Sequence, residues 1–460
     1  MAQLFKQGET KVRPGVYYRY TTTSGDGTPS AIDGINAIVI QASWGPEGVT
    51  KHETAQSIVD TYGAGAGVEA AKMLKTGGAS TVYVVRAKGT GGAKGTTKLG
   101  DIVSVTAKYE GARDIGVKVQ AKAGDATKKQ LIVLDGNTAV ETFEFAAGAT
   151  ESKALADAAA NSRFVDIQAT SEGEVNATES KLSGGKNATI TAQDYLTGFK
   201  ALEPYRYNVL STDSIDTDVA AILQSYAQQA EAEGKLIIGV IGASTETAFA
   251  TRIANAKAIN DKKIVYLGSG FVTMDGEKVE GAKAVNYAAG AISATPSSES
   301  ITHSVVNGAV DVTERLLNSQ YVEAIENGLL LLSVSPDGEV WFDSGINTLT
   351  APVENEDNGW KKIKRTKVRF ELFDRLDRAT APMVGSVNCN ADGVAAIIQA
   401  GMGVINEMVA ENKLMAGATL TEDPDNPYGG DSAWFVIQAV DVDSLEKIYL
   451  HYQFKYSQNA

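Results

Sequence analysis

The sequence predicts a multidomain α/β protein: an α/β core with an inserted mostly-β domain, an α+β C-terminal domain, and extended N- and C-terminal arms. Three observations predict this fold class. The 460 residues are enough for two to four domains at roughly 100–200 residues each. Strands and helices alternate in residues 31–92 and again in 190–350, which is typical of an α/β layer. The stretch between them instead shows alternating apolar residues and turn signals.

We divide the chain at changes in composition. The run GTGGAKGTT at 89–97 has the composition of a linker, and the acidic loop ENEDNG at 354–359 opens the last unit. The predicted segments are an N-terminal arm 1–30, a first α/β part 31–92, an inserted β-rich domain 93–189, a central α/β domain 190–352, and a C-terminal domain 353–460 with a terminal strand 445–456.

Continuous apolar runs predict the strands of the α/β core. Asn36–Ala42 (NAIVIQA) and Leu236–Ile241 (LIIGVI) are short and apolar throughout, as expected for strands buried on both faces of a sheet. The stretch 75–87 (KTGGASTVYVVRA) reads as a turn followed by another strand. The predicted core helices are Thr54–Tyr62, Val68–Lys75, Ile215–Glu233, Glu246–Asn260 and Ala284–Ala294.

Hairpin chemistry predicts the inserted β domain. Asp135-Gly136 separates two alternating segments, Gln130–Leu134 and Thr138–Phe145, and Asp-Gly is a strong signal for a two-residue hairpin turn. Ile102–Tyr109 and Ile115–Lys122 alternate in the same way. We therefore expect antiparallel sheets between residues 97 and 185.

A basic amphipathic helix is predicted over Lys361–Thr380. Its apolar face carries Val368, Leu372, Leu376 and Ala379. An adjacent basic stripe, interrupted by Glu371, is formed by Lys364, Lys367, Arg375 and Arg378. The stripe is a solvated helix face or a contact surface for an acidic partner, for which complementary charge gives orientation and faster docking. Contact with nucleic acid is a third and weaker alternative.

Two segments near the ends of the chain read as isolated strands. In the first, Val12, Val16 and Tyr18 lie on one side of an extended segment. The second alternates over Leu445–Tyr456 and places these side chains on one side: Ile448, Leu450, Tyr452, Phe454 and Tyr456. An unpaired strand of this kind is an aggregation hazard. It therefore pairs within its own domain or adds to the sheet of a neighbour.

Charge and composition exclude several classes of function. The formal net charge of −14, from 42 basic and 56 acidic residues, argues against a general nucleic-acid or anionic-membrane binder. The single cysteine, Cys389, forms neither an internal disulfide nor a cysteine zinc site. We expect no signal peptide at the polar N-terminus and no transmembrane helix, because no apolar run approaches 18 residues.

Catalytic motifs are scarce. The stretch Gly65–Ala70 fits G-x-G-x-x-A, but a dinucleotide fingerprint follows a strand, and the preceding residues read as helical. We interpret it as a turn between helices. There is no P-loop and no G-x-S-x-G elbow. His52, His303 and His451 follow no base or metal pattern. We therefore expect no catalytic residue, no cofactor and no metal.

Five motifs together carry a family resemblance. They are RPGVYYR (13–19), KTGGASTVYVVRA (75–87), VTAKYEGARDIGVKV (105–119), VWFDSGINTLT (340–350) and WKKIKRTKVRF (360–370). In this order and spacing the chain resembles contractile phage tail sheath proteins, of the short kind found in prophages and tailocins. The resemblance extends over essentially the whole chain.

The resemblance implies a structural role. Sheath subunits form a six-start helical sleeve around a tail tube, and both arms add strands to a neighbour's C-terminal domain. Contraction of the sleeve drives the tube through the target cell envelope. The implied partners are further copies of the chain, the tail tube protein, and baseplate and tail terminator proteins. The basic stripe would face the tube. Assembly would occur in the host bacterial cytoplasm, and the subunit would then reside in the tail particle.

The rival hypothesis is a soluble α/β hydrolase-like enzyme with a β accessory domain. Such an enzyme needs a pocket in which polar groups converge on a nucleophile or base. The sequence offers no such group, and an enzyme does not explain apolar strands at both ends of the chain.

Overall fold

The computed structural model describes residues 33–354 and 356–454, together with Gln3–Leu4, Pro14 and Tyr17–Tyr18. Gln3–Leu4 and Tyr17–Tyr18 form a short parallel pair of strands. For the predicted arm residue Tyr18, the structure describes this strand position and not the side chain. The predicted arm residues Val12, Val16 and Tyr456 lie outside the described residues.

The strands, in chain order, are β1 (Gln3–Leu4), β2 (Tyr17–Tyr18), β3 (Ile35–Ile40), β4 (Thr50–His52), β5 (Thr81–Arg86), β6 (Thr96–Leu99), β7 (Val103–Ala107), β8 (Ile115–Ala121), β9 (Lys128–Asp135), β10 (Thr138–Ala146), β11 (Val165–Ala169), β12 (Thr178–Lys181), β13 (Val209–Thr212), β14 (Ile238–Gly242), β15 (Ile264–Leu267), β16 (Phe271–Thr273), β17 (Lys278–Val279), β18 (Ala309–Val312), β19 (Leu329–Leu330), β20 (Leu332–Val334), β21 (Val340–Phe342), β22 (Thr419–Glu422) and β23 (Phe435–Gln438).

The helices are α1 (Ala55–Tyr62), α2 (Ala66–Thr76), α3 (Glu151–Ala158), α4 (Ala192–Ala201), α5 (Thr217–Ala232), α6 (Phe249–Ile259), α7 (Ala282–Ala294), α8 (Asn318–Glu326), α9 (Ile363–Thr380) and α10 (Ala391–Ala410). Two short 3₁₀ helices, Asn358–Lys361 and Ala381–Met383, flank α9.

A seven-stranded sheet forms the centre of the molecule, in the order β19-β15-β14-β13-β3-β5-β4. All neighbouring strands are parallel except β4, which runs antiparallel to β5. Helices cover both faces, as parallel sheets require. Ile38 and Ile40 of β3 pack with α1, α2 and α7, whereas Ala37 and Val39 pack with α4, α5 and α6. Alternate residues thus enter two cores, which explains why the strand is apolar throughout.

Two glycines let α2 and α7 approach closely. A Cβ on Gly290 of α7 would lie 2.2 Å from the carbonyl oxygen of Leu74. A Cβ on Gly77, just after α2, would lie 2.2 Å from the carbonyl oxygen of Tyr287. The backbones of the two helices therefore touch at these positions, and any larger residue would force them apart.

The residues between Thr96 and Lys181 form two antiparallel sheets, β10-β9-β8-β12 and β11-β7-β6, with α3 beside them. The hairpin at Asp135-Gly136 pairs β9 with β10. Arg86, at the end of β5, ties this unit to the central sheet by donating to the carbonyl oxygens of Ala42, Gly45 and Glu110.

The C-terminal part is built on two helices and a small sheet. Leu372 and Leu376 of α9 pack against Ile405 and Met408 of α10 and against Leu420 of β22. Among the described helices, α10 has the length and composition of a membrane span, with a mean hydropathy of 1.4 over 18 residues, 28% of them buried. That is weak evidence for a span, because the core helices of other proteins satisfy the same test.

The predicted fold class is confirmed: an α/β core, antiparallel sheets between its two parts, and an α+β C-terminal part. The sequence analysis did not predict helices α4 and α8. The predicted strand over Leu445–Tyr456 is not formed in the described residues, since 443–454 have no strand partner. A strand needs a neighbour to satisfy its backbone groups, and the isolated chain supplies none there.

Candidate functional site

The C-terminal segment leaves large apolar side chains in solvent. Ile448, Leu450, Tyr452 and Phe454 are between 70% and 94% exposed. The rings of Tyr452 and Phe454 stack with centroids 6.4 Å apart, so these two residues share one side, as the predicted alternation requires. A contiguous exposed apolar patch of this kind marks an interaction surface. Pairing within its own domain, one of the two alternatives left open by the sequence, is not seen in the described residues.

Just before this segment the chain is firmly held by α9. The side chain of Asp441 is almost completely buried and accepts from Arg365, with one contact of 2.7 Å, and from Arg369 at 3.2 Å. Burial would raise the pKa of Asp441, but the hydrogen bonds and charges of the two arginines hold it below its ordinary value. Asp441 is therefore an ionised anchor.

A second anchor lies at Glu446, where the segment leaves the body of the subunit. One oxygen of its carboxylate accepts from the hydroxyls of Ser300 and Thr302, both at 3.0 Å, and the other lies 2.9 Å from Nζ of Lys362. Lys362 also donates to Asp443 at 2.8 Å. Burial opposes the charge of Lys362, yet the hydrogen bonds that it donates to both carboxylates raise its pKa. The segment is thus fixed up to Glu446 and exposed beyond it.

Part of the predicted basic stripe is buried, so the expectation of an exposed face there is wrong. Lys364 is 5% exposed and donates to the hydroxyl of Ser444 at 3.0 Å. Lys367 is 7% exposed; it donates to the carbonyl oxygens of Ile292, at 2.9 Å, and Thr295. Burial lowers the pKa of both lysines. In this conformation neither lysine can reach a tube surface, because other parts of the same chain cover them.

The other two stripe residues lie nearer to solvent. Arg375 is ion-paired with Glu411 at 2.9 Å. Arg378 is half exposed and paired with Asp374 at 2.9 Å. Only these two members of the stripe remain candidates for contact with a partner.

A small sheet at the C-terminal part has open edges. β22 and β23 pair antiparallel from Thr419↔Gln438 to Glu422↔Phe435. Within residues 356–454, neither strand has a second ladder partner. Leu420, Phe435 and Ile437 pack against the core of α9 and α10. A two-stranded sheet is marginally stable alone, so this one offers two edges for further strands.

The motifs examined for catalysis have structural explanations. Helix α1 ends at Tyr62 and α2 begins at Ala66. Gly65 therefore lies in the interpreted turn between helices, whereas the rest of the G-x-G-x-x-A stretch forms the first residues of α2. A Cβ on Gly67 would lie 2.3 Å from the carbonyl oxygen of Gln41, so this glycine permits close packing. His303 stacks on Trp341 with ring centroids 3.9 Å apart. Among the described residues, no group of three or more His, Cys, Asp or Glu could hold a metal ion.

Sequence reasoning missed the acidic residues that hold the terminal segment: Asp441, Asp443 and Glu446. The run DVDSLE at 441–446 directly precedes the apolar alternation. The charge of this acidic run is complementary to that of the basic stripe. Comparing the two could have predicted the contact between residues 441–446 and α9.

Comparisons with known proteins find a family match within the central region. Residues 188–348 match the model of the phage tail sheath protein central domain. The chain is 21% identical to the phage-like element PBSX protein XkdK of Bacillus subtilis, over 97% of this chain and 98% of that one. Its structure is similar to the sheath tail protein from Desulfitobacterium hafniense, with a TM-score of 0.73 at 21% identity, over 93% of this chain and 100% of the other.

The contracted helical sheath of the anti-feeding prophage is a more distant neighbour. Its TM-score is 0.54 at 11% identity, covering 97% of this chain and 100% of that one. At these identities the structural comparisons establish the fold. Together with the central-domain match, they confirm the resemblance to contractile phage tail sheath proteins.

Proposed function

We propose that this chain, which carries a phage tail sheath central domain and has a sheath fold, is the structural subunit of a contractile tail sheath. In this role it polymerises into a six-start helical sleeve around a tail tube. The role is structural and not catalytic. The work of driving the tube through an envelope comes from energy stored when the extended sleeve assembles.

One observation carries the proposal: the terminal segment exposes its apolar side chains, and a two-stranded sheet with two open edges lies in the C-terminal part of the same chain. Strand addition would satisfy both surfaces at once, since main-chain hydrogen bonds give affinity and alternate side chains fill pockets. A terminal segment links a polymer only if it pairs with a subunit other than its own. We therefore propose that Ile448, Leu450, Tyr452 and Phe454 add to β22–β23 of a neighbouring subunit.

The N-terminal arm would supply the second strand. Val12, Val16 and Tyr18 remain its proposed contact residues, and Tyr456 would extend the proposed C-terminal strand. Two arms and two open edges per subunit match in number, so each subunit could be linked to its neighbours on both sides of β22–β23. Such links would keep the sleeve connected while the subunits move during contraction.

Contact with the tail tube remains a proposal for Arg378 and Arg375. Both lie on the C-terminal half of α9, and Arg378 is half exposed. An acidic tube surface would compete with Asp374 for Arg378. The complementary charge would orient the subunit on the tube more than it would raise the affinity. Baseplate and tail terminator proteins would bind the two ends of the sleeve. Assembly would take place in the bacterial cytoplasm, and the product would be a tail particle.

Truncation after Lys447 tests the proposal. The shortened chain retains Glu446 and its partners, so we expect a folded subunit with unchanged thermal unfolding. It should form no long sleeves under conditions in which the full chain does, as seen by sedimentation and electron microscopy. Sleeves of normal length from the truncated chain would refute strand addition by this segment. Failure of the full chain to assemble, even with tube protein, would count against the sheath function and favour the rival enzyme.

A further inference from the structure

We propose that helix α9 is a common anchor for both terminal arms, so that tension on either arm passes through this helix before it reaches the central sheet. The mechanical role rests on the proposed function. The anchoring itself is a property of the single chain and can be measured without assembly.

The N-terminal anchor is the ion pair between Asp33 and Lys367. Asp33 stands two residues before β3, where the N-terminal segment joins the core. Its carboxylate lies 2.9 Å from Nζ of Lys367. The same ammonium group donates to carbonyl oxygens at the end of α7, and the backbone amide of Gly34 donates to Ser293 at 2.8 Å. The start of the core is thereby tied both to α7 and to α9.

The C-terminal anchor uses the same helix one turn earlier. Arg365 holds Asp441, and Lys362, the residue preceding α9, holds Asp443 and Glu446. Glu446 also reaches the hydroxyls of the central domain described above. The last residue before the exposed segment is therefore clamped between α9 and the central domain.

The two anchors are close together. Lys362 and Lys367 are five positions apart, which corresponds to about 7.5 Å along a helix axis. Each anchor contains at least one ion pair to a basic residue of this stretch. Paired charges require specific geometry and are costly to separate when partly buried, so they fix the direction in which each arm leaves. In a polymer linked by arms, this short stretch of α9 would connect the two strands that the subunit gives to its neighbours.

The experiment is amide hydrogen exchange, followed by mass spectrometry, on the isolated full-length chain. Two amides report the anchors: Gly34, bonded to Ser293, and Val442, which donates to the carbonyl oxygen of Lys413 at 3.0 Å. Lys367→Met should accelerate exchange in peptides that contain Gly34 about tenfold or more. Glu446→Gln should do the same for peptides spanning 441–446. Since Lys367→Met removes a buried cation, Asp33→Asn provides a second variant that breaks the pair from its more exposed side.

The matched control is Lys88→Met, which removes an exposed ion pair with Glu47 of 2.7 Å and should leave both probes unchanged. Protection along α9 itself should persist in every variant, showing that the helix is intact. Unchanged exchange at Gly34 in both Asp33→Asn and Lys367→Met, or at Val442 in Glu446→Gln, would overturn the corresponding anchor. Sleeve formation by the unmodified chain is scored separately. A variant that loses anchoring and still forms normal sleeves would refute the mechanical role. An unmodified chain with intact anchoring that forms no sleeves would refute the proposed function alone.

Discussion

Replacing Leu450 by alanine should weaken assembly without affecting the stability of the subunit. Leu450 lies in the exposed terminal segment and is 70% exposed in the single chain. A side chain that is already in water contributes little to folding, so the free energy of unfolding should change by less than about 0.5 kcal/mol. Its apolar surface becomes useful only when a neighbouring subunit covers it.

The size of the assembly defect follows from the surface that Leu450 exposes. Leucine to alanine removes three carbons, each worth about 0.8 kcal/mol when buried. Scaled by the 70% that is open to burial, the loss is about 1.5–2 kcal/mol per subunit contact. At about 1.4 kcal/mol per factor of ten, the concentration needed for assembly should rise roughly ten- to thirty-fold.

The assay is the critical concentration for sleeve formation, measured by sedimentation of purified protein across a dilution series. His451→Ala is the matched control, because in an extended strand His451 points to the opposite side from Leu450 and should leave the critical concentration within about twofold. Thermal unfolding of both variants checks the subunit itself. Equal critical concentrations for Leu450→Ala and the unmodified chain would refute burial of this face, and a large loss of subunit stability would refute its exposure.

Three further predictions concern other parts of the molecule. Gly290→Ala should destabilise the subunit by about 1–2 kcal/mol in urea unfolding, since overpacking against Leu74 outweighs the gain in helix propensity. The control Gly403→Ala on α10, where a Cβ meets nothing within 4 Å, should instead stabilise the subunit by about 0.5–1 kcal/mol. A change of the same sign in both variants would contradict the close contact between α2 and α7. Burial raises the pKa of Asp213 from 3.8 to about 6, so its contribution to stability is full below about pH 4 and is lost as the pH rises through 6. Asp213→Asn should abolish this loss of unfolding free energy, which amounts to up to about 3 kcal/mol. Parallel curves of stability against pH for the variant and the unmodified chain would contradict the raised pKa. Arg378→Glu should reduce co-sedimentation with tube protein while leaving thermal unfolding unchanged, and equal binding would exclude this arginine from the tube contact.

The sequence was most informative where burial imposes a simple pattern. The run LIIGVI predicted a doubly covered strand because both faces of a parallel sheet are buried, and β14 is buried throughout. Asp135-Gly136 predicted the β9–β10 hairpin because the turn itself requires these residues. Asp216 caps α5 by accepting from the amide of Asp218, a position that aspartate favours.

The sequence was least informative where the meaning of a residue depends on distant parts of the chain. The spacing of Lys364 and Lys367 placed them correctly on one stripe of α9, but periodicity does not show what covers a stripe. Here the chain returns from 441–446, about 80 residues later, and from the end of α7 to bury it. Likewise, alternation predicted an extended terminal segment but could not supply its partner strand, which the single chain lacks in the described residues.

Strand addition between subunits is tested most directly by a cryo-electron microscopy reconstruction of sleeves assembled from the full-length chain. Density for the residues after Glu446 should continue as a strand paired with β22–β23 of a neighbouring subunit, with Leu450 and Phe454 facing that neighbour's core. A segment that folds back onto its own subunit within the sleeve, or a chain that stays monomeric in the presence of tube protein, would contradict it.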